Sequence, residues 1–234
     1  MATLSSLRST IAGDIGRTDT SASPTPSNAR IDAAINDAMV EIARRHNFKA
    51  LLKVHEGSLV EDEIAYSLPT RCKTIFGIRI IDGESSVRLV LYHHRRFDKS
   101  NPDPESMSSG KPSAYTLWGN TIYLNYKPDD DYTVRMRFAK WPTPLSGEND
   151  SPDFENMDDV VRYGAIVQLY KSKALYGDSI QWDAAFEKVL KDAIKADEES
   201  PDWVPMAAEF ETEEEGEGRV DDWKNPHRYA TEEE

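Results

Sequence analysis

The sequence is short of the residues that build chemical sites. It holds one cysteine, Cys72, in 234 residues, so no disulfide can form within the chain and no cysteine pair can ligate zinc. A lone thiol of this kind is expected to be buried and inert, and it fits a reducing compartment. Histidine is scarce too. His46, His55, His93, His94 and His227 include no pair at the i, i+4 spacing of a helical metal site. Neither a Gly-x4-Gly-Lys-Ser/Thr phosphate loop nor a Gly-x-Ser-x-Gly nucleophile elbow occurs. Acidic pairs are too common for proximity in sequence to identify a general acid. The expectation is a non-enzyme with no catalytic residue, no metal and no cofactor. No apolar run approaches the about 18 residues of a membrane helix. Met1–Thr10 also lacks the basic-then-apolar pattern of a signal peptide. No membrane partner is expected.

Basic charge is scarce where acid is densest. The net charge is −14, and Asp197–Glu234 carries fifteen acidic and three basic residues, leaving 27 and 25 for the rest. The body is thus nearly neutral and the tail strongly acidic. That disfavours generic duplex binding by the tail, because phosphate contacts need Lys and Arg. The run Glu213-Glu214-Glu215-Gly216-Glu217-Gly218 cannot pack a core of its own. Yet Trp203, Val204, Met206, Phe210, Val220, Trp223 and Tyr229 lie in this acidic stretch, and a solubilising tail needs no tryptophans. Two readings stay open: an extended arm that docks through its aromatic residues, or plain disorder. The docking reading makes Trp203, Val204, Met206, Phe210, Trp223 and Tyr229 the contact residues.

What the sequence does contain is a period that switches twice. Leu4, Leu7, Ile11 and Ile15 predict a short amphipathic helix over Thr3–Ile15. A Ser/Thr/Pro-rich loop, Gly16–Ser27, follows. Ser27 or Asn28 then caps a long helix with the stripe Ile31, Ala34, Ile35, Ala38, Met39, Ile42 and Ala43, ending between His46 and Leu52. From Val54 the period becomes two. Strands are predicted at Val54–Val60, Ile64–Leu68, Thr74–Ile81, Val87–Tyr92, Ser113–Trp118, Thr121–Tyr126 and Tyr132–Trp141, with Arg95–Lys111 as a polar loop. In the last strand Tyr132, Val134, Met136 and Phe138 alternate with Thr133, Arg135 and Arg137, the mark of a strand buried on one face. The 3.6 period returns from Met157 to about Tyr176. Gly177 is expected to stop that helix, Asp178 or Ser179 to cap the next, and Pro201 to close it after Trp182, Ala185, Phe186, Val189, Leu190, Ala193 and Ile194.

The fold class that follows is α+β: a helical bundle with an inserted antiparallel β-sheet or sandwich of about six strands, and an extended acidic C-terminal tail. The divisions are 1–53 for the N-terminal helices, 54–145 for the β insertion, 146–200 for the C-terminal helices and 201–234 for the arm.

Two surface features invite a binding reading. His93-His94-Arg95-Arg96 is a basic knot, either a solvated strand end or a contact for an anionic surface. Tyr115, Trp118, Tyr123, Tyr126, Tyr132 and Trp141 are either split between core and surface or gathered into a sugar-binding face.

Four segments in order carry a resemblance: "TLSSLRSTIAGDIGR", "RIDAAINDAMVEIARRHNF", "GKPSAYTLWGNTIYLNYKPDDDYTVRMRFAKWPTPLS" and "DFENMDDVVRYGAIVQLYKSKALYGD". Over about residues 1–200 the chain resembles the head-to-tail adaptor (connector) proteins of tailed bacteriophages, especially short-tailed ones. The resemblance implies a bundle carrying a β insertion and a homo-oligomeric ring, typically of twelve copies. It implies a portal protein on one side, a tail or nozzle protein on the other, and genomic DNA passing through the channel without specific binding. It places the protein in the neck of the virion after assembly in the host cytoplasm. C-terminal arms of such proteins reach toward the portal. The alternative is a phage accessory or carbohydrate-binding module with an exposed aromatic sheet face.

Overall fold

A computed structural model describes residues 2–18, 26–83, 85–102, 107–172 and 176–199. The chain divides into a unit Met1–Ile194 and a unit Lys195–Glu234. Among the described residues of the first unit, helix α1 (Leu4–Thr18) and helix α2 (Asn28–Arg45) precede eight strands: β1 (Leu52–Leu59), β2 (Ala65–Ser67), β3 (Cys72–Asp82), β4 (Ser85–Arg88), β5 (Val90–Leu91), β6 (Ala114–Trp118), β7 (Thr121–Leu124) and β8 (Tyr132–Lys140). A short helix, α3 (His94–Ser100), separates β5 from β6, and α4 (Asp158–Ser172) and α5 (Tyr176–Glu198) follow the strands. The α+β class is borne out, with the strands inserted between helices.

Two hydrophobic clusters hold this unit together. The helical one is built from the predicted stripe of α2, joined by Leu4, Leu7, Ile11 and Ile15 of α1, by Val160, Val161, Ala165 and Leu169 of α4, and by Phe186 and Leu190 of α5. Helix α1 is closed at its start by a loop: the Leu4 and Ser5 N–H groups donate to the Asp150 and Glu148 carbonyls at 2.8 and 3.1 Å. These are two of the donors that a helix N-terminus leaves unpaired.

The second cluster lies between two four-stranded sheets. Sheet A has the order β1-β8-β3-β4 and sheet B the order β2-β7-β6-β5. Leu59, Ile78, Ile80, Met136 and Phe138 from sheet A meet Tyr115, Ile122 and Leu124 from sheet B. Among these eight strands, the pairings are antiparallel except that of β5 with β6, which is parallel.

Lys73 links the sheets to the bundle. Its ammonium donates to the Ala43 carbonyl and, at 2.8 Å, to Asn47 Oδ1, so a β3 side chain satisfies the C-terminal end of α2. Burial pulls its pKa below the ordinary lysine value.

Four expectations are corrected. The polar loop from Arg95 begins as helix α3, because Phe97 is buried and His93 caps the helix by accepting the Arg95 N–H at 3.4 Å. Val87–Tyr92 is not one strand: β4 belongs to sheet A and β5 to sheet B, and buried Leu89 marks the crossing. Helix α1 runs through Gly16 to Thr18. Gly177 does not stop a helix but lies within α5, and α4 ends at Ser172, whose hydroxyl donates to the Leu169 carbonyl at 2.7 Å. Glycine in a first turn escapes most of its cost in a helix interior.

Candidate interaction surfaces

Sheet A buries one face and exposes the other, and the exposed face is rich in arginine. The alternation of β8 sends Met136 and Phe138 to the core and leaves Arg135 and Arg137 outside. Strand register then builds a row. Glu56 of β1 faces Arg135, Arg135 faces Arg79 of β3, and Arg79 faces Arg88 of β4. One step along, Val54 faces Arg137 and Arg137 faces Gly77. The open space at Gly77 is taken by the Arg88 guanidinium, whose Nη2 donates to the Phe76 carbonyl at 3.3 Å. Arg135 pairs with Glu56 at 2.8 Å. Among the described residues, Arg79 and Arg137 have no acidic partner. Phe76, 45% exposed, and Ile81 stand among the arginines, which line a shallow concavity of about 390 Å³.

Sheet B presents a different surface. The basic knot forms the start of α3. The His93 and His94 rings lie 4.1 Å apart, His94 meets Trp118 edge-on at 5.2 Å, and the Arg96 guanidinium sits 4.3 Å over the Tyr92 ring. Trp118 is 63% exposed. The six aromatic residues do not form one platform: Tyr115 and Tyr132 are buried, Trp141 packs against the helical core, and Trp118 and Tyr126 are exposed. This corrects the notion of a common sugar-binding face. Alternation sends half of such residues inward. Tyr132 donates to Asp129 at 2.7 Å, which together with burial pushes its pKa up to about 12.

Helix α5 offers a third surface. Phe186 and Leu190 are buried, whereas Trp182, Val189, Ala193 and Ile194 are covered only in part, and Ile180 is 68% exposed. Arg45 holds the helix to α2 through Glu187 at 3.4 Å, and Lys171 of α4 holds it through Asp183 at 3.0 Å.

Among the described residues, no cluster of His, Cys, Asp or Glu could hold a metal ion, and no helix is long and apolar enough to cross a membrane. Comparison with known families gives the three surfaces their context: the chain matches the SU10 adaptor protein family over residues 2–207. The chain belongs to that family. It is a phage head–tail adaptor, a structural protein of the virion. No curated protein matches it.

The adaptor's expected contact residues, Trp203, Val204, Met206, Phe210, Trp223 and Tyr229, lie outside the described residues. The family match enters this stretch and stops at residue 207. The arginine face of the adaptor was half legible. Alternation in β8 put Arg135 and Arg137 on one side, but Arg79, Arg88 and Glu56 join them only through pairing between strands distant in sequence.

Proposed function

We propose that this adaptor forms a ring of about twelve copies below the phage portal, joins it to the tail or nozzle protein, and lines the channel through which the genome passes. The observation that carries this reading is the family match over residues 2–207. Cyclic symmetry suits it, because a head-to-tail interface between identical copies closes into a ring. The charge balance supports it as well. A wall without excess base does not hold DNA by counterion release, so the genome slides past rather than binding. Residues 1–53 and 146–200 act as the bundle and 54–145 as the insertion, giving each subunit two opposed surfaces. Residues 201–234 act as an arm, with Trp203, Val204, Met206, Phe210, Trp223 and Tyr229 anchoring it on the portal or an adjacent copy. Assembly takes place in the host cytoplasm and the product sits in the virion neck. No catalysis and no metal are needed.

Native mass measurement of the purified chain, alone and with its portal protein, tests the reading. The expected result is a twelve-copy ring on the portal. A chain without residues 201–234 keeps its circular dichroism and melting midpoint but no longer joins the portal. Equal assembly of the truncated chain would remove the arm from the mechanism, and a portal that recruits no full-length chain would remove the ring.

A further inference from the structure

The exposed face of sheet A is electrostatically incomplete. Arg79 stands between Arg135 and Arg88 in the cross-strand register, and Glu56 is the one carboxylate in that row. Like charges directly opposite one another destabilise a sheet. A ligand that brings carboxylates would relieve the repulsion, and a guanidinium takes a carboxylate as a two-pronged donor.

The chain itself contains a segment of the right chemistry and the right period. Glu209, Glu211, Glu213, Glu215 and Glu217 occupy every second position. In an extended backbone alternate side chains share one face, about 6.6–6.8 Å apart. Arg135 and Arg137 are separated by the same two-residue step along β8. Phe210 lies between the first two glutamates, and Phe76 is an exposed apolar group beside the arginines.

We propose that the arginine face of sheet A, centred on Arg79, Arg135 and Arg137, is the docking site for the alternating-glutamate segment 209–217 of a neighbouring copy. The neighbouring copy rests on the ring reading above, since such a contact is the head-to-tail kind that closes a ring. The surface fits a peptide better than a nucleic acid backbone. A duplex phosphate backbone offers no apolar counterpart for Phe76, whereas Phe210 within the glutamate segment supplies one.

Two full-length variants isolate the contact. One keeps its glutamates but carries R79Q, R135Q and R137Q. The other keeps its arginines but has Gln at 209, 211, 213, 215 and 217. A fluorescently labelled sample of the first is titrated with the second and followed by anisotropy and sedimentation. The expected result is association that weakens steeply with salt. It falls by roughly tenfold or more when both partners lack the arginines, since hydrogen bonds to charged groups are lost. Melting curves check that the arginine variant is folded. A charge-reversed pair, R135E and R137E against Lys at 211 and 213, restores association. Association that ignores the arginines, no association at all, or tighter capture of duplex DNA than of the segment by the same three arginines overturns the proposal. A chain that joins the portal ring without showing this contact sinks the inference alone. A chain that shows the contact but ignores the portal sinks the ring reading alone.

Discussion

Asn36 of α2 pairs with a backbone rather than with a side chain. Its amide donates to the Leu145 carbonyl at 3.1 Å and its oxygen accepts the Leu145 N–H at 2.8 Å, which pins the segment after β8 to the bundle. Leu145 is buried, so Asn36→Ala leaves two polar groups without partners. We expect a loss of about 1–3 kcal/mol in stability, read as a lower denaturant midpoint at unchanged slope. Asp150 holds the neighbouring turn. Its carboxylate accepts the Ser146 and Gly147 N–H groups at 2.9 and 2.7 Å. Those bonds, Ser146 first, hold its pKa below the ordinary value of 3.8. A carboxyl whose pKa is lowered by folding stabilises the fold above its unfolded value and stops doing so as the pH falls through its folded value. Asp150→Ala should therefore melt below the wild type at neutral pH. The gap should begin to close below pH 3.8 and vanish in stronger acid. A gap that is constant with pH would mean that the carboxylate charge contributes nothing.

At the scale of elements, three helices come close together at Gly164 of α4. A Cβ there would lie 3.0 Å from Cε2 of Phe186 and 3.1 Å from Cβ of Ala38, so α2 and α5 both press on this position. Gly164→Ala gains about 1 kcal/mol of helix propensity and loses about 1–3 kcal/mol to overpacking. The Ala38 methyl is fixed to its backbone, so overpacking wins and we expect a net loss of about 1 kcal/mol. Ala38→Gly should relieve part of it, so the two changes couple rather than add. A more stable Gly164→Ala variant would show that the helices sit further apart. The sequence made these helices readable through the unbroken stripe Ile31–Ala43 and the pair Phe186 and Leu190. It did not reveal which glycine marks a close approach and which sits harmlessly in a turn, because that depends on a partner helix far along the chain. Strand pairing was hidden for the same reason. The alternation in β8 set which residues point outward, but not that Arg79 would stand opposite Arg135. Leu89 gave no local sign that it carries the chain from one sheet to the other, since a short apolar run reads the same in either sheet.

At the scale of the whole molecule, the proposed docking of the arm gives its charge and its apolar anchors separate tasks in assembly. The 34 residues from Pro201 to Glu234 hold most of the net acidity together with Trp203 and Trp223. Ordering a segment of that length on a partner costs several kcal/mol, so one contact cannot hold it. Desolvated aromatic groups supply affinity that salt does not weaken, whereas surface carboxylates speed the encounter and set orientation. The two contributions come apart as ionic strength rises, because screening shortens the reach of exposed charges to about 3 Å at 1 M salt. Trp203→Ala with Trp223→Ala should then weaken joining of the portal at every salt concentration, mainly through faster release. Replacing Glu213, Glu214 and Glu215 with Gln should slow attachment at low salt and change little at high salt. Attachment and release followed separately by surface-immobilised portal, over a salt series, give both rates. If the glutamate variant stays the weaker one at high salt, or if the tryptophan variant releases no faster than the wild type, the arm is held by its charge and the aromatic anchors have no part in it.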